Sequence, residues 1–239
     1  MREMELHNDI TISDLEIMTY AKNYRRWIIN TVKPHIGNRI LEVGGGIGNN
    51  VEYLLDRELI VIIDDHQECE KYILKRFNNS NILFFNMDIT NNSDVAQLAK
   101  FNFDTILCLN VLEHIENDVV GLQNMKDVLA VNGKLILIVP AFNSLYGSID
   151  KAVGHKRRYT KNLLVKKINS LHMEIESLRF MNFLGIFGWF LNNKMLRRKT
   201  ESLPQIVFYD KYLAPFAEKL EKILPPPIGL SIVGVFKKK

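Results

Sequence analysis

Apolar residues along this chain fall into short, nearly continuous runs separated by amphipathic stretches. The runs cover 39–43, 59–63, 82–85, 105–109 and 134–139. A strand with one wet face alternates polar and apolar positions, whereas a nearly continuous run implies burial on both faces. Between the runs, stretches such as 67–77 and 118–129 carry helical patterning. Apolar strands alternating with helices predict a doubly wound α/β fold: a mostly parallel sheet covered by helices on both faces. Ahead of the first run, Met18, Ala21, Tyr24, Ile28 and Val32 recur at three- and four-residue spacing, predicting a helix that ends near Pro34.

After residue 140 the rhythm changes. A polar loop spans 141–159, and Thr160 is placed to cap a helix running to Ser170. Strands are predicted at 173–180 and 230–236. Between them lies a long insertion, about 181–226, ending in Pro225, Pro226 and Pro227. No internal repeat or low-complexity linker interrupts the pattern. The expectation is one domain over 1–239, with a helical cap at 1–36, a first half at 37–140 and a second half at 141–239 that carries the insertion.

Composition narrows the class. The chain has 239 residues, 47% of them hydrophobic and 24% charged, which excludes a disordered or fibrous protein. The net charge of 31 − 27 = +4 permits an anionic substrate, and nucleic acid is not the expected partner. Two cysteines, Cys69 and Cys108, cannot form a disulfide framework or a cysteine-rich zinc site, so the reducing cytoplasm is the default compartment. Residues 1–10 include Arg2, Glu3, Glu5 and Asp9 and lack the apolar core of a signal peptide. The apolar run 183–191 is about half of what spans a bilayer. Lys194, Arg197, Arg198 and Lys199 follow it, which suits peripheral membrane contact through 183–199; burial in a core or a dimer interface is the alternative.

The sharpest local signal is Glu42-Val43-Gly44-Gly45-Gly46-Ile47-Gly48-Asn49. Glycines at such a turn allow positive φ and close approach of a ligand, and a helix predicted over 49–55 would present free N–H groups. A nicotinamide fingerprint starting at Gly44 needs a glycine at position 49, where Asn49 stands. Asp64 and Asp65 end the second run, 20 and 21 residues beyond Gly44; a carboxylate there can take both hydroxyls of a ribose, and Asp64 directly follows the apolar run. At the end of the third run, Asp88 can bond an exocyclic amine while Met87 and Ile89 sandwich a ring.

Together with Asn110-Val111-Leu112-Glu113-His114, these residues resemble the class I S-adenosylmethionine-dependent methyltransferases over roughly 37–140. Farther on, Tyr146-Gly147-Ser148-Ile149-Asp150 and Gly154-His155-Lys156-Arg157-Arg158-Tyr159 resemble a bacterial subgroup linked with glycans and lipid-linked sugars. The resemblance implies a seven-stranded Rossmann-like sheet with an antiparallel last strand. It implies that 37–140 binds the cofactor and 141–239 faces the substrate. Glu42, Gly44, Gly46 and Gly48 would cradle the methionine moiety, Asp64 or Asp65 the ribose, Met87, Asp88 and Ile89 the adenine, and Asn110 and Val111 would border the sulfonium.

Methyl transfer needs alignment of acceptor, methyl and sulfur, and a base where the acceptor is a hydroxyl or protonated amine. His114 and His155 are the catalytic candidates, with Asp150 and Tyr146 behind them. Lys156, Arg157 and Arg158 next to His155 should disfavour its charged form. Arg157 and Arg158 suit a phosphate or carboxylate; alternatively, an arginine pairs with Asp150 to hold the loop. Tyr24 is a candidate substrate contact from the N-terminal helix, with Tyr20 and Trp27 beside it. No metal-ligand spacing stands out, so no metal is expected. The expected acceptor is a sugar, a lipid-linked sugar or another anionic metabolite, handled by a monomer or homodimer. An RNA acceptor and a non-catalytic cofactor-binding module are the alternatives.

Overall fold

The computed structural model describes residues 12, 15–198, 200 and 202–239. Lys199 and the acidic and basic residues of positions 1–10 lie outside the described residues. Seven strands form one sheet: β1 (Arg39–Val43), β2 (Leu59–Asp64), β3 (Ile82–Asn86), β4 (Phe103–Leu109), β5 (Leu129–Pro140), β6 (Glu174–Met181) and β7 (Ser231–Lys237). Their order is β3-β2-β1-β4-β5-β7-β6. β1 to β5 are parallel, while β7 runs antiparallel to both of its neighbours, β5 and β6. This is the expected sheet, and only the last strand is reversed.

The nearly continuous apolar runs are explained by two cores. On one face Leu41, Val61, Ile106, Leu135 and Leu137 meet α4 (Asp118–Val128) and α6 (Lys161–Ser170). On the other, Ile40, Ile60, Leu107, Ile136 and Ile138 meet α1 (Lys22–Val32), α2 (Cys69–Arg76) and α9 (Ala214–Ile223). Successive side chains of each strand enter opposite cores, so both sets are mainly apolar. Cys69 and Cys108 are both buried free thiols.

Three local expectations shift. The N-terminal helix breaks at residues 19–20, and α1 begins at Lys22. Of the helix predicted over 49–55, only a 3₁₀ turn, Val51–Tyr53, forms. The cause is tertiary: Arg25 takes the Asn49 carbonyl, and Arg76 Nη1 bonds Asn49 Oδ1 at 3.1 Å. The fifth strand starts five residues before the expected run, at Leu129. Thr160 caps α6 as expected, its Oγ1 accepting from the Leu163 amide at 3.2 Å. Two short helices, α3 (Asn92–Ala96) and α5 (Ser148–Ala152), flank the sheet's carboxyl edge. The insertion carries α7 (Gly185–Phe190), followed by a π-helical turn, and α8 (Leu203–Phe208), joined to α9 by another. Among the described residues, no helix is long and apolar enough to cross a membrane.

Two-sided burial is testable on neighbouring residues of β5. Ile136→Ala and Leu137→Ala empty opposite cores, and each should cost about 2–5 kcal/mol in chemical denaturation. A strand with one wet face would tolerate one of the two.

Candidate active site

Parallel pairing of β1 with β2 and β4 places the glycine loop at the carboxyl edge of the sheet. Gly44, Gly46 and Gly48 have φ of 64°, 53° and 77°, a region that side chains seldom enter. A Cβ on Gly44 would stand 2.5 Å from Val111 Cγ2, so the loop passes the end of β4 with no room for a side chain. The Gly44 amide donates to the Ile63 carbonyl at 2.8 Å, and the Gly46 amide donates to Asp64 Oδ2 at 2.8 Å. Under the loop lies Glu42, 1% exposed. Its Oε1 accepts from Asn50 Nδ2 at 2.8 Å, while its buried Oε2 has no hydrogen-bond partner. Burial, reinforced by the Asp64 charge and opposed by the Asn50 bond, pushes the Glu42 carboxyl up to about 7. An orphaned buried oxygen of this kind is an acceptor awaiting a donor.

Asp64 and Asp65 have different settings. Asp64 is buried and closes the glycine loop, with Oδ1 also accepting from the His66 amide at 3.0 Å. Asp65 is exposed and pairs with His66 Nδ1 at 2.8 Å. Bonds to the two carboxylates push His66 up to about 10. Asp88 is an exposed turn residue whose Oδ1 accepts from the Thr90 amide and hydroxyl at 2.7 and 2.8 Å. Ile89 is buried in the core, and Met87 packs against the same core half-buried. Asn110 sits just past β4 with φ of 56°, its amide donating to the Ile138 carbonyl at 2.8 Å.

The 141–159 loop brings a second group to the end of β4. Asp150 has no exposed surface. Its Oδ1 takes Arg158 Nε and His155 Nδ1, each at 2.8 Å; its Oδ2 takes Asn193 Nδ2 and the Gly147 amide, each at 2.9 Å. Arg158, 1% exposed, also lies over the Trp189 ring at 4.7 Å. Arg158 and Asp150 are thus the pair that holds the loop. Arg157 pairs with Asp118 at 3.2 Å, and Lys156 pairs with Glu116 at 3.3 Å. The cations next to His155 in sequence therefore face carboxylates of their own. The groups that face the His155 ring are Asp150 and, at 3.8 Å from Nε2, Glu113. Of the three neighbouring cations, Lys156 and Arg157 pair with other acids, while Arg158 stays beside the ring through the Asp150 oxygen that both share. The His114 ring stands edge-on to the His155 ring at 4.7 Å. Glu113 is 1% exposed, and burial pushes it up to about 7. The Tyr146 hydroxyl donates to the His155 carbonyl at 2.7 Å.

Tyr24 is half-buried, edge-on to Trp27 and Tyr209, and its amide donates to Asp210 at 2.8 Å; it joins α1 to the insertion. Trp27 is core, whereas Tyr20 is exposed on a cleft of about 430 Å³ with Ile47, Tyr72 and Arg76, beside the glycine loop. A second cleft, of about 460 Å³, lies beyond the Asp150 network and is lined by Tyr146, Ser148, Lys151, Asn193, Lys194 and Arg197. Glu113, Asn193 and His66 stand among the candidate residues of this edge without having been singled out from the sequence. Glu113 adjoins His114 in the quoted motif and was visible there; nothing around Asn193 announced it.

The unmatched Glu42 oxygen has a readable consequence without any ligand. Its folded-state pKa lies above the unfolded value, so the folded chain takes up a proton near pH 4.5–7 and loses stability as pH rises through that window. Glu42→Gln should raise the melting temperature at pH 8 and leave it nearly unchanged at pH 4. An equal shift at both pH values would count against this reading.

Residues 41–135 match the family model described as a methyltransferase domain. The chain is 24% identical over 235 aligned residues to glycine N-methyltransferase of Oryctolagus cuniculus, covering 91% of this chain and 79% of that protein. It is 28% identical over 150 residues to probable polyketide synthase 10 of Dictyostelium discoideum, covering 52% of this chain but 6% of that protein. The fold superposes on the N-methyltransferase NodS of Bradyrhizobium japonicum, solved with S-adenosyl-L-homocysteine, with a TM-score of 0.53 at 14% identity, covering 90% and 85% of the two chains. Residues 41–135 therefore match a methyltransferase domain, and they lie on a seven-stranded sheet of the kind seen in the superposed structures.

Proposed function

We propose that this protein methylates an oxygen or nitrogen nucleophile of a small acceptor bearing an anionic group, and that the acceptor class is a lipid-linked sugar. The observation that carries the reading is the cleft at the Asp150 network, where Lys151, Lys194 and Arg197 line one opening. Three cations around a cleft suit a phosphate. Next to it the insertion exposes Phe187, Phe190, Leu191, Met195 and Leu196. Apolar and basic groups side by side suit an acceptor held at a lipid surface.

The loop fits S-adenosylmethionine on two counts: glycines that a Cβ would jam, and a buried carboxylate oxygen that needs a donor. Glu42 would take the ammonium, Asp64 the ribose hydroxyls, Met87, Asp88 and Ile89 the adenine, and Asn110 and Val111 would border the reacting end. When bound, the cofactor supplies a methyl group already activated on a cationic sulfur. The chain's part is then alignment and proton handling. Asp150 fixes the proton of His155 on Nδ1 and turns Nε2 toward Glu113 and His114, so this cluster is the polar end at which the acceptor nucleophile docks.

Calorimetry with S-adenosylhomocysteine should give micromolar binding. Asp64→Ala should weaken it tenfold or more while Asp65→Ala leaves it close to wild type; the reverse ranking would exchange the ribose carboxylate. Binding without methyl incorporation into any lipid-linked or nucleotide sugar would favour a non-catalytic module. Vesicles containing anionic lipid should float the protein, and Lys194→Glu with Arg197→Glu should abolish flotation. No flotation of the wild type would remove the lipid-surface part of the reading.

A further inference from the structure

Glu113, His114 and His155 come from two segments, the turn after β4 and the 141–159 loop. One donor atom from each lies within 4.8 Å of the others. Both oxygens of Glu113 are buried and have no hydrogen-bond partner in the protein. A buried carboxylate that accepts nothing is costly unless a cation completes it. His155 is oriented as a metal-binding imidazole is: a carboxylate, Asp150, bonds Nδ1 at 2.8 Å and leaves Nε2 for the cluster. Asp150 is held in turn by Arg158, Asn193 and the Gly147 amide, so the outer partners of the ring are rigid.

We infer that Glu113, His114 and His155 form a binding site for a first-row divalent cation such as Zn²⁺ or Mn²⁺. Two imidazoles and one carboxylate are a borderline donor set, and three protein ligands leave coordination positions open for an acceptor oxygen. The use of those open positions rests on the methyltransferase reading; the cation site itself does not. With a cation in place, the three side chains act as ligands, and an acceptor hydroxyl bound to the cation would be acidified and lose its proton to water. A second grouping, Asp64, Asp65 and His66, has similar residue types but a different state. There Asp64 already accepts from the Gly46 and His66 amides, and His66 bridges the two carboxylates. That grouping is internally satisfied.

The test uses the full chain, stripped with a chelator and dialysed against Zn²⁺, Mn²⁺ or Mg²⁺, with bound metal measured by mass spectrometry. One equivalent of Zn²⁺ or Mn²⁺ per chain is expected. Glu113→Gln and His155→Ala should each weaken binding about tenfold or more, whereas His66→Ala should retain the full equivalent. S-adenosylhomocysteine binding is followed in parallel on the metal-free wild type. Loss of that binding would sink the methyltransferase reading and leave the metal result to stand alone. A wild-type protein that retains none of the three cations overturns the inference, whether or not the variants fold. So does unchanged binding by folded Glu113→Gln and His155→Ala.

Discussion

Asp150 lies with no exposed surface at the meeting point of the 141–159 loop and the helical insertion, and four donors converge on its two oxygens. Burial opposes its charge, but the bonds from His155 and Asn193 and the nearby Arg158 guanidinium outweigh it, and the carboxyl is held below its usual range. Leaving one member of such a buried pair alone costs about 3–5 kcal/mol, so loop, insertion and His155 ring are fixed as a unit. The cleft with Lys151, Lys194 and Arg197 exists because Asn193 ties the insertion to this carboxylate.

Glu42 and Glu113 differ from Asp150 in a telling way. All three carboxylates are buried, but Asp150 is fully matched, while Glu42 and Glu113 keep oxygens without a partner and are both pushed up to about 7. The two unmatched groups sit at the ends of adjacent strands, β1 and β4, on the edge where open α/β sheets bind ligands. The cores packed on both sides of the sheet supply the stability that tolerates these two unmatched carboxylates.

Much of the fold was legible in the sequence because its signals are local. Nearly continuous apolar runs located the parallel strands, Thr160 announced the start of α6, and the glycine loop located the carboxyl edge. The failures have one physical origin. The helix expected over 49–55 yields to a 3₁₀ turn because Arg25 and Arg76, distant in sequence, claim Asn49. His155 looked cationic in its surroundings because Lys156, Arg157 and Arg158 adjoin it in the chain, yet the fold pairs Lys156 with Glu116 and Arg157 with Asp118, while Arg158 and His155 share Asp150. The Glu113–His114–His155 cluster has no linear spacing to read, since some forty residues separate its two halves. Local patterns specify elements; the pairing of charges between elements becomes visible only once they pack.

The position of β7 has a consequence for how this molecule is made. β7 lies between β5 and β6, yet it is the last strand to leave the ribosome. Until residues 231–237 emerge, β5 shows a bare edge and β6 has no neighbour in the sheet. β1 to β5 can pair during synthesis, but β6 waits for a strand threaded into a gap. A nascent chain therefore carries an unpaired apolar edge until residues 231–237 emerge, the state in which a sheet protein is most exposed to aggregation.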